Sequence, residues 1–295
     1  VLLMLTLAMG ESVNMAKRWL ALPGLGLSIQ TSDFAKLALV MYIARILSIK
    51  QYKINDSKEV VGYLFFPTIL ICSLILPANL STALILLATA MILMFIGRVK
   101  FKYMASFVFI GIFLVAVLIS GIILSGNKSR VETWQNRVES FVSGEDEENY
   151  QVEQSKIAIA TGGFFGKGPG NSTQRDFLPY AYSDFIYAII VEEYGFFGGL
   201  VILFLYMFLL YRAGVIVKKA NRSFAAFLAI GLALLLVFQA MINMGVTVHL
   251  FPVTGQTLPF VSMGGTSLLF TSIAIGIILS ISRSVQENKE VNQNG

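Results

Sequence analysis

The chain has 295 residues, 56% of them hydrophobic and 13% charged, with 22 Lys and Arg against 17 Asp and Glu for a formal net charge of +5, and its mean hydropathy is +0.74. An ordinary soluble domain carries about a quarter charged residues, so a water-soluble fold could not hide this much apolar surface. One cysteine, Cys72, and one histidine, His249, exclude a disulfide framework and a multi-histidine metal centre, and neither a phosphate-binding P-loop nor a dinucleotide-binding glycine fingerprint is present.

Apolar residues gather into eight runs: Val1–Met9, Phe34–Ile49, Val61–Leu76, Leu80–Ile96, Tyr103–Leu124, Phe185–Tyr211, Phe224–Val248 and Thr266–Ile281. Segments of about twenty apolar residues match a hydrocarbon core of about 30 Å, which makes the chain an all-α polytopic membrane protein of about seven or eight crossings. The first run is too short to span alone and opens without Met, charged leader or cleavage pattern, so the reading expects an interior cut of a longer chain, with earlier helices preceding it. Residues 1–295 form a single transmembrane domain in this reading, with a long loop over 125–183 and a tail over 284–295.

Cations mark one side of the bundle. Lys50, Lys53 and Lys58, then Arg98, Lys100 and Lys102, then Arg212, Lys218, Lys219 and Arg222, and finally Arg283 and Lys289 fall in connections on the same side, which is therefore cytoplasmic. The positive charge is a topology signal, and no nucleic-acid partner is expected. Facing outward are Glu11–Ser32, a tight turn at Pro77-Ala-Asn79, the block Ser125–Ser183 and the Pro/Gly-rich stretch Leu250–Gly265.

Ser125–Ser183 is far longer than an ordinary connection, which points to function or disorder. Its Gly144-Glu-Asp-Glu-Glu148 stretch reads as a solvated acidic tip. Gly162-Gly-Phe-Phe-Gly-Lys-Gly-Pro-Gly170 mixes glycines, aromatics and Lys167, which suits either backbone turning beside a membrane surface or anionic group, or a plain flexible turn. Asp184 follows Pro179-Tyr-Ala-Tyr-Ser183 at the outer mouth of a helix, as a charge favoured by the helix dipole or as a simple N-cap. Glu192 and Glu193 lie about two turns deeper, where an ionisable side chain is either functional or a bonded structural carboxylate. Asp33 and Lys36 form an i, i+3 pair at another helix start, which can hold a charged lysine or serve as an ordinary cap and ion pair. Lys17 and Arg18 beside Trp19 would suit an anionic lipid headgroup or act as an interfacial anchor. Prolines and glycines at Pro252–Pro259 and Ser262–Ser267 indicate irregular backbone of the kind tolerated only where it lines a cavity.

The same residues carry a family resemblance. Ala16-Lys-Arg-Trp19, Thr31-Ser-Asp-Phe-Ala-Lys-Leu-Ala38, Gln154-Ser155 with Gly162-Gly-Phe-Phe-Gly-Lys-Gly168, Phe177-Leu-Pro with Ser183-Asp-Phe185, Glu192-Glu-Tyr-Gly195 and Pro252-Val-Thr-Gly with Leu258-Pro-Phe-Val-Ser-Met-Gly-Gly-Thr-Ser267 follow in order along the chain. Together they resemble the SEDS family of bacterial shape, elongation, division and sporulation proteins, typified by FtsW and RodA. The resemblance implies a SEDS-type bundle of ten helices, about eight of them present here. It implies peptidoglycan glycosyltransferase activity, with lipid II and undecaprenyl-linked glycan as substrates, in the bacterial cytoplasmic membrane with an extracytoplasmic catalytic face. A class B penicillin-binding protein, within the divisome or elongasome, is the implied partner.

The family's essential acid falls on Asp184, and the other motif residues become substrate contacts: Lys17, Arg18 and Trp19; Asp33 and Lys36; Gln154, Ser155 and Lys167; Glu192 and Glu193; Ser262, Thr266 and Ser267. No organic cofactor is implied, whereas a divalent cation, Mg or Mn, would help the leaving pyrophosphate. The chain departs from the family's pattern at Tyr180, Tyr182 and Ser183, at Thr31-Ser-Asp33 and at Leu76-Pro-Ala-Asn-Leu-Ser-Thr82. The Val248-His-Leu-Phe251 and Ser262–Ser267 sequences lean toward the division type. An aspartate with an unperturbed pKa of about 4 becomes a better base when partial burial raises it.

Overall fold

The computed structural model describes residues 1–13, 16–22, 27–51, 61–124, 141 and 147–294. Lys53 and Lys58 of the orientation count, and Gly144, Glu145 and Asp146 of the acidic tip, lie outside them. Contacts gather into two compact units, Val1–Val117 with Leu210–Leu236 and Thr266–Gly295, and Leu118–Leu209 with Val237–Gly265.

In the first unit, α1 (Leu2–Met9) leads into a three-stranded antiparallel sheet of β1 (Glu11–Val13), β2 (Ala16–Leu22) and β3 (Leu27–Gln30), paired in chain order. Trp19 stands opposite Gln30, and Leu22 opposite Leu27. The all-α reading did not foresee this meander in the Glu11–Ser32 connection. Pairing supplies the backbone groups of this connection with partners that a neighbouring bilayer cannot offer.

β3 runs directly into α2 (Thr31–Ile49), so this helix starts earlier than its apolar run and carries Asp33 in its first turn. Leu39, Val40, Ile43, Ala44 and Leu47 bury one of its faces. After a π-helical turn at Val61–Phe65 comes α3 (Phe66–Ile75), with a proline in its first turn, where a missing N–H breaks no helical bond. Asn79 caps α4 (Leu80–Ile96) by accepting the Thr82 N–H at 3.0 Å. α5 (Phe101–Leu124) follows.

The second unit contains α6 (Glu147–Gly162), a single 3-10 turn at Gln174–Asp176, the first part of α7 (Ile186–Lys219) and the last turns of α8 (Ser223–Thr247). α6 stands inside the block read from sequence as a loop. Val152, Ser155, Ala158 and Gly162, spaced three or four residues apart, form its buried face. The Phe185–Tyr211 run is not one continuous helix. Helical geometry breaks at Gly195, with φ 72° and ψ −171°, a conformation essentially reserved for glycine.

α9 (Gly265–Asn294) continues well past its apolar run, into the tail. Among the described residues, Ile186–Lys219, Ser223–Thr247 and Gly265–Glu287 are long and apolar enough to cross a membrane, and Val61–Ile75, Leu80–Ile96 and Phe101–Gly111 are shorter apolar helices. Gly231 brings α8 within the first unit so close to its neighbours that an added Cβ would stand 2.8 Å from Val40 and 3.0 Å from Leu93. Small residues serve this purpose between membrane helices, where packing rather than water exclusion drives association.

Candidate active site

Asp184 sits at the end of a turn built on a small apolar core. Leu178, Ala181, Phe185, Ile189 and Val246 are buried together, with Ile186, Ile242 and Val253 packed against them. Phe185, 1% exposed, pins the residue that follows the acid, and α7 starts just beyond it. Tyr180 takes a left-handed conformation, φ 59°, uncommon for a bulky residue. This turns its carbonyl to accept the N–H groups of both Ser183 and Asp184, each at 3.0 Å. The Asp184 carboxylate is half-buried, and its Oδ1 accepts the Ser183 hydroxyl at 2.8 Å.

Three successive carbonyls of this turn are held by other elements. Tyr182 O accepts the Met263 N–H at 2.8 Å. Ser183 O accepts the Ser262 hydroxyl at 2.5 Å. Asp184 O accepts Asn243 Nδ2 at 2.8 Å. Ser262 is buried and its Oγ also accepts the Leu258 N–H at 2.7 Å, so its hydroxyl braces the acid's backbone, whereas the family resemblance makes it a substrate contact. Asn243 Nδ2 also donates to Gln256 O at 2.7 Å.

Asn243 belongs to a polar ladder on α8 that the sequence reading passed over. One turn earlier Gln239 Nε2 donates to Thr257 O at 3.0 Å. One turn later Thr247 Oγ1 donates to Asn243 O at 2.9 Å, and Thr247 O accepts the Ser155 hydroxyl at 2.7 Å. The signal was available, since polar side chains four residues apart along an apolar run share one face. The irregular segment Pro252–Pro259 lies along this ladder, and the Tyr206 hydroxyl of α7 reaches Pro259 O. Its carbonyls at Gln256, Thr257 and Pro259 are therefore satisfied by side chains of spanning helices, the condition under which non-helical backbone survives at membrane depth.

Glu192 has a different setting. Its side chain is fully buried, and its carboxylate accepts Lys167 Nζ at 2.5 Å, Ser172 Oγ at 2.5 Å, Thr173 Oγ1 at 2.9 Å and the N–H groups of Thr173 at 3.1 Å and Gln174 at 3.2 Å. Backbone bonds reinforce the docking: Lys167 N to Glu192 O and Gly168 N to Glu193 O, both 2.9 Å, and Phe196 N to Gly163 O at 2.8 Å. The glycine-rich segment is thus an ordered strap across the break in α7. Lys167 and Glu192, both read as substrate contacts, satisfy each other, and Glu193 contributes its carbonyl.

Ser155 is buried against Thr247, and Gln154 beside it is half-buried. In the first unit, Lys36 Nζ stands 2.8 Å from Asp33 Oδ1 with both side chains buried, and Asp33 Oδ2 has no partner among the described residues. Lys17 and Arg18 lie on β2, beside a half-buried Trp19. Thr266 and Ser267 open α9; the Ser267 carbonyl accepts Thr271 Oγ1 at 2.5 Å. Among the described residues no three His, Cys, Asp or Glu side chains cluster as metal ligands.

The sequence model for FTSW_RODA_SPOVE, described as "Cell cycle protein", matches residues 1–287. The chain is 36% identical over 293 residues to the "Probable peptidoglycan glycosyltransferase FtsW" of Trichlorobacter lovleyi, covering 97% of this chain and 74% of that protein. It is 35% identical over 291 residues to the stage V sporulation protein E of Bacillus subtilis, covering 96% and 76%. A solved chain from a peptidoglycan synthase complex that coordinates polymerization and crosslinking superposes with a TM-score of 0.71 at 26% identity, over 96% of this chain and 78% of that one. The chain is a multi-pass membrane protein, and it belongs to the FtsW, RodA and SpoVE family of cell cycle proteins.

Proposed function

We propose that this chain is a peptidoglycan glycosyltransferase that polymerises lipid II into glycan strands on the outer face of the bacterial cytoplasmic membrane, with Asp184 as its general base. The glycosyltransferase activity rests on the family match and on relatives that carry that name. The assignment of the base rests on one observation: a half-buried aspartate at the end of a turn whose carbonyls at 182, 183 and 184 are each held by another element. A base works when it is preorganised within reach of the proton it takes.

In this reading the Asp184 carboxylate removes the proton from the 4-hydroxyl of the incoming lipid II sugar. The oxygen forms its bond to the anomeric carbon of the lipid-linked chain end while the bond to undecaprenyl pyrophosphate breaks, inverting that carbon to give the β-1,4 linkage. Charge developing on the pyrophosphate calls for cations. The candidates are Lys17, Arg18, Lys36 and Lys167, of which Lys36 also pairs with Asp33 and Lys167 with Glu192. A Mg or Mn ion would have to arrive with the substrate's phosphates, since magnesium commonly binds through one or two carboxylates plus substrate phosphates, and no step is assigned to it. A class B penicillin-binding protein is the proposed partner, and the relatives named FtsW favour a role in division.

Purified protein in detergent tests the reading. Wild type, with its partner, is expected to convert lipid II into polymer, and Asp184→Asn to retain substrate but make none. Full polymerisation by Asp184→Asn would remove the base assignment. Absence of polymer from wild type with the partner present would point instead to a transporter that flips lipid-linked precursor or to a scaffold that recruits the partner.

A further inference from the structure

We infer that Asn243 is a positioning residue of the reaction, acting through the backbone of Asp184; the inference rests on Asp184 being the base. Its amide nitrogen donates to Asp184 O at 2.8 Å and to Gln256 O at 2.7 Å. The side chain is 1% exposed, and its Oδ1 has no partner among the described residues. Leaving a buried acceptor unpaired is costly, so this amide is kept for its two donors. No aliphatic side chain could supply them, and a helix of this hydropathy would otherwise carry an aliphatic residue there.

Geometry makes the bond local to the base. Asn243 holds the carbonyl of Asp184 itself, and Ser262 holds the carbonyl of the residue before it. The peptide groups entering and leaving the acid are thereby tied to two different elements, α8 and the turn that precedes α9. Phe185 and the core around it anchor the same turn independently of both bonds. Removing one tie should therefore leave a folded, substrate-binding protein whose carboxylate is displaced from the proton it must take. A displacement of about 1 Å from near-attack geometry can lower a rate by about 100-fold.

The test measures fluorescent lipid II binding and polymerisation on the same purified preparations of wild type, Asn243→Ala, Ser262→Ala and Asp184→Asn, each with the partner. Asn243→Ala is expected to bind lipid II with wild-type Kd and full stoichiometry, at unchanged KM, while kcat falls about 10- to 100-fold. Ser262→Ala removes the neighbouring tie and carries the same expectation should Asn243→Ala fail to fold. Wild-type kcat at full stoichiometry overturns the inference. So does a binding stoichiometry that falls in step with the rate in both variants, the mark of lost folded protein, or a rise in KM and Kd at unchanged kcat, the mark of direct substrate contact. Asp184→Asn separates the two layers: if it polymerises normally the base reading fails, whereas an inactive Asp184→Asn beside a fully active Asn243→Ala removes only the positioning role.

Discussion

Gly166 and Gly195 cross backbone to backbone, one on the docked strap and the other at the break in α7. A Cβ on Gly195 would stand 2.6 Å from Gly166 N and 2.2 Å from Phe164 O, and a Cβ on Gly166 would stand 2.5 Å from Gly195 N. Both residues have positive φ, 79° at Gly166 and 72° at Gly195. Gly195→Ala therefore meets conformational strain of about 1–3 kcal/mol and a backbone clash that no side-chain rotation relieves. Thermal unfolding in detergent is expected to show a large loss of stability for Gly195→Ala. Gly163→Ala, at φ 57° with nothing within 4 Å of its Cβ, should lose only about 1–2 kcal/mol.

Glu192 fastens the same strap. Glu192→Ala removes the carboxylate that accepts the Lys167 ammonium, the Ser172 and Thr173 hydroxyls and two backbone N–H groups, leaving Lys167 only its bond to Thr173 Oγ1, and an orphaned partner of a buried pair costs about 3–5 kcal/mol. Lys167 is 28% exposed, so water recovers part of that loss and about 3 kcal/mol is the expected effect. Limited proteolysis of the 163–175 segment reads it out: the wild-type strap should resist cleavage and the variant should be cut quickly. In a double-mutant cycle, Lys167→Met combined with Glu192→Gln should cost less than the sum of the single changes.

Tyr206→Phe isolates the bond to the Pro259 carbonyl. The tyrosine is buried and its ring packing survives the change, so the expected loss is about 1–3 kcal/mol from the carbonyl left unpaired. Circular dichroism melting in detergent gives the measurement, with helix content unchanged before the transition.

His249 confers a pH dependence. Its ring packs on Phe141 at 4.8 Å between centroids, just beyond the end of α8. Burial holds its pKa below the ordinary imidazole value, and the Lys156 ammonium adds to the effect. The unfolded chain takes up the proton near pH 6.5, whereas the native protein takes it up only at lower pH. Between those points the unfolded state binds more protons, so stability falls as pH drops below about 6.5 and is fully present above it. Melting temperatures measured from pH 7.5 to pH 5 should decline, and His249→Gln should flatten that decline.

Much of this architecture was legible in the chain. Leu80–Ile96 and the run around Leu228–Val237 are long apolar stretches, and they form the helices their length requires. Asp184 was visible as an acid at a helix mouth, yet only the family resemblance raised it above a cap. The break at Gly195 was not legible, because Tyr194-Gly-Phe-Phe-Gly-Gly199 inside an apolar run reads as tolerated glycines. What imposes the break is the passage of Phe164–Gly166 across it, a contact between residues distant in sequence. The β meander was hidden for a similar reason, since its strands are short and gain their stability from one another. The four-residue spacing of Gln239, Asn243 and Thr247 was legible as a shared face, but their partners on other segments were not. Lys167 and Glu192 each read as a lone charge, and only tertiary structure brings them together.

The ties on either side of Asp184 also limit how the residue can move. With its flanking peptides held, the residue moves chiefly by rotation about its two side-chain bonds, so if Asp184 is the base proposed above, adjustment during a catalytic cycle falls to the sugar. A strand under synthesis would then be drawn past a stationary proton acceptor, as thread is drawn past a needle's eye. Lengthening the side chain by one methylene, as in Asp184→Glu, would keep the charge but miss the register.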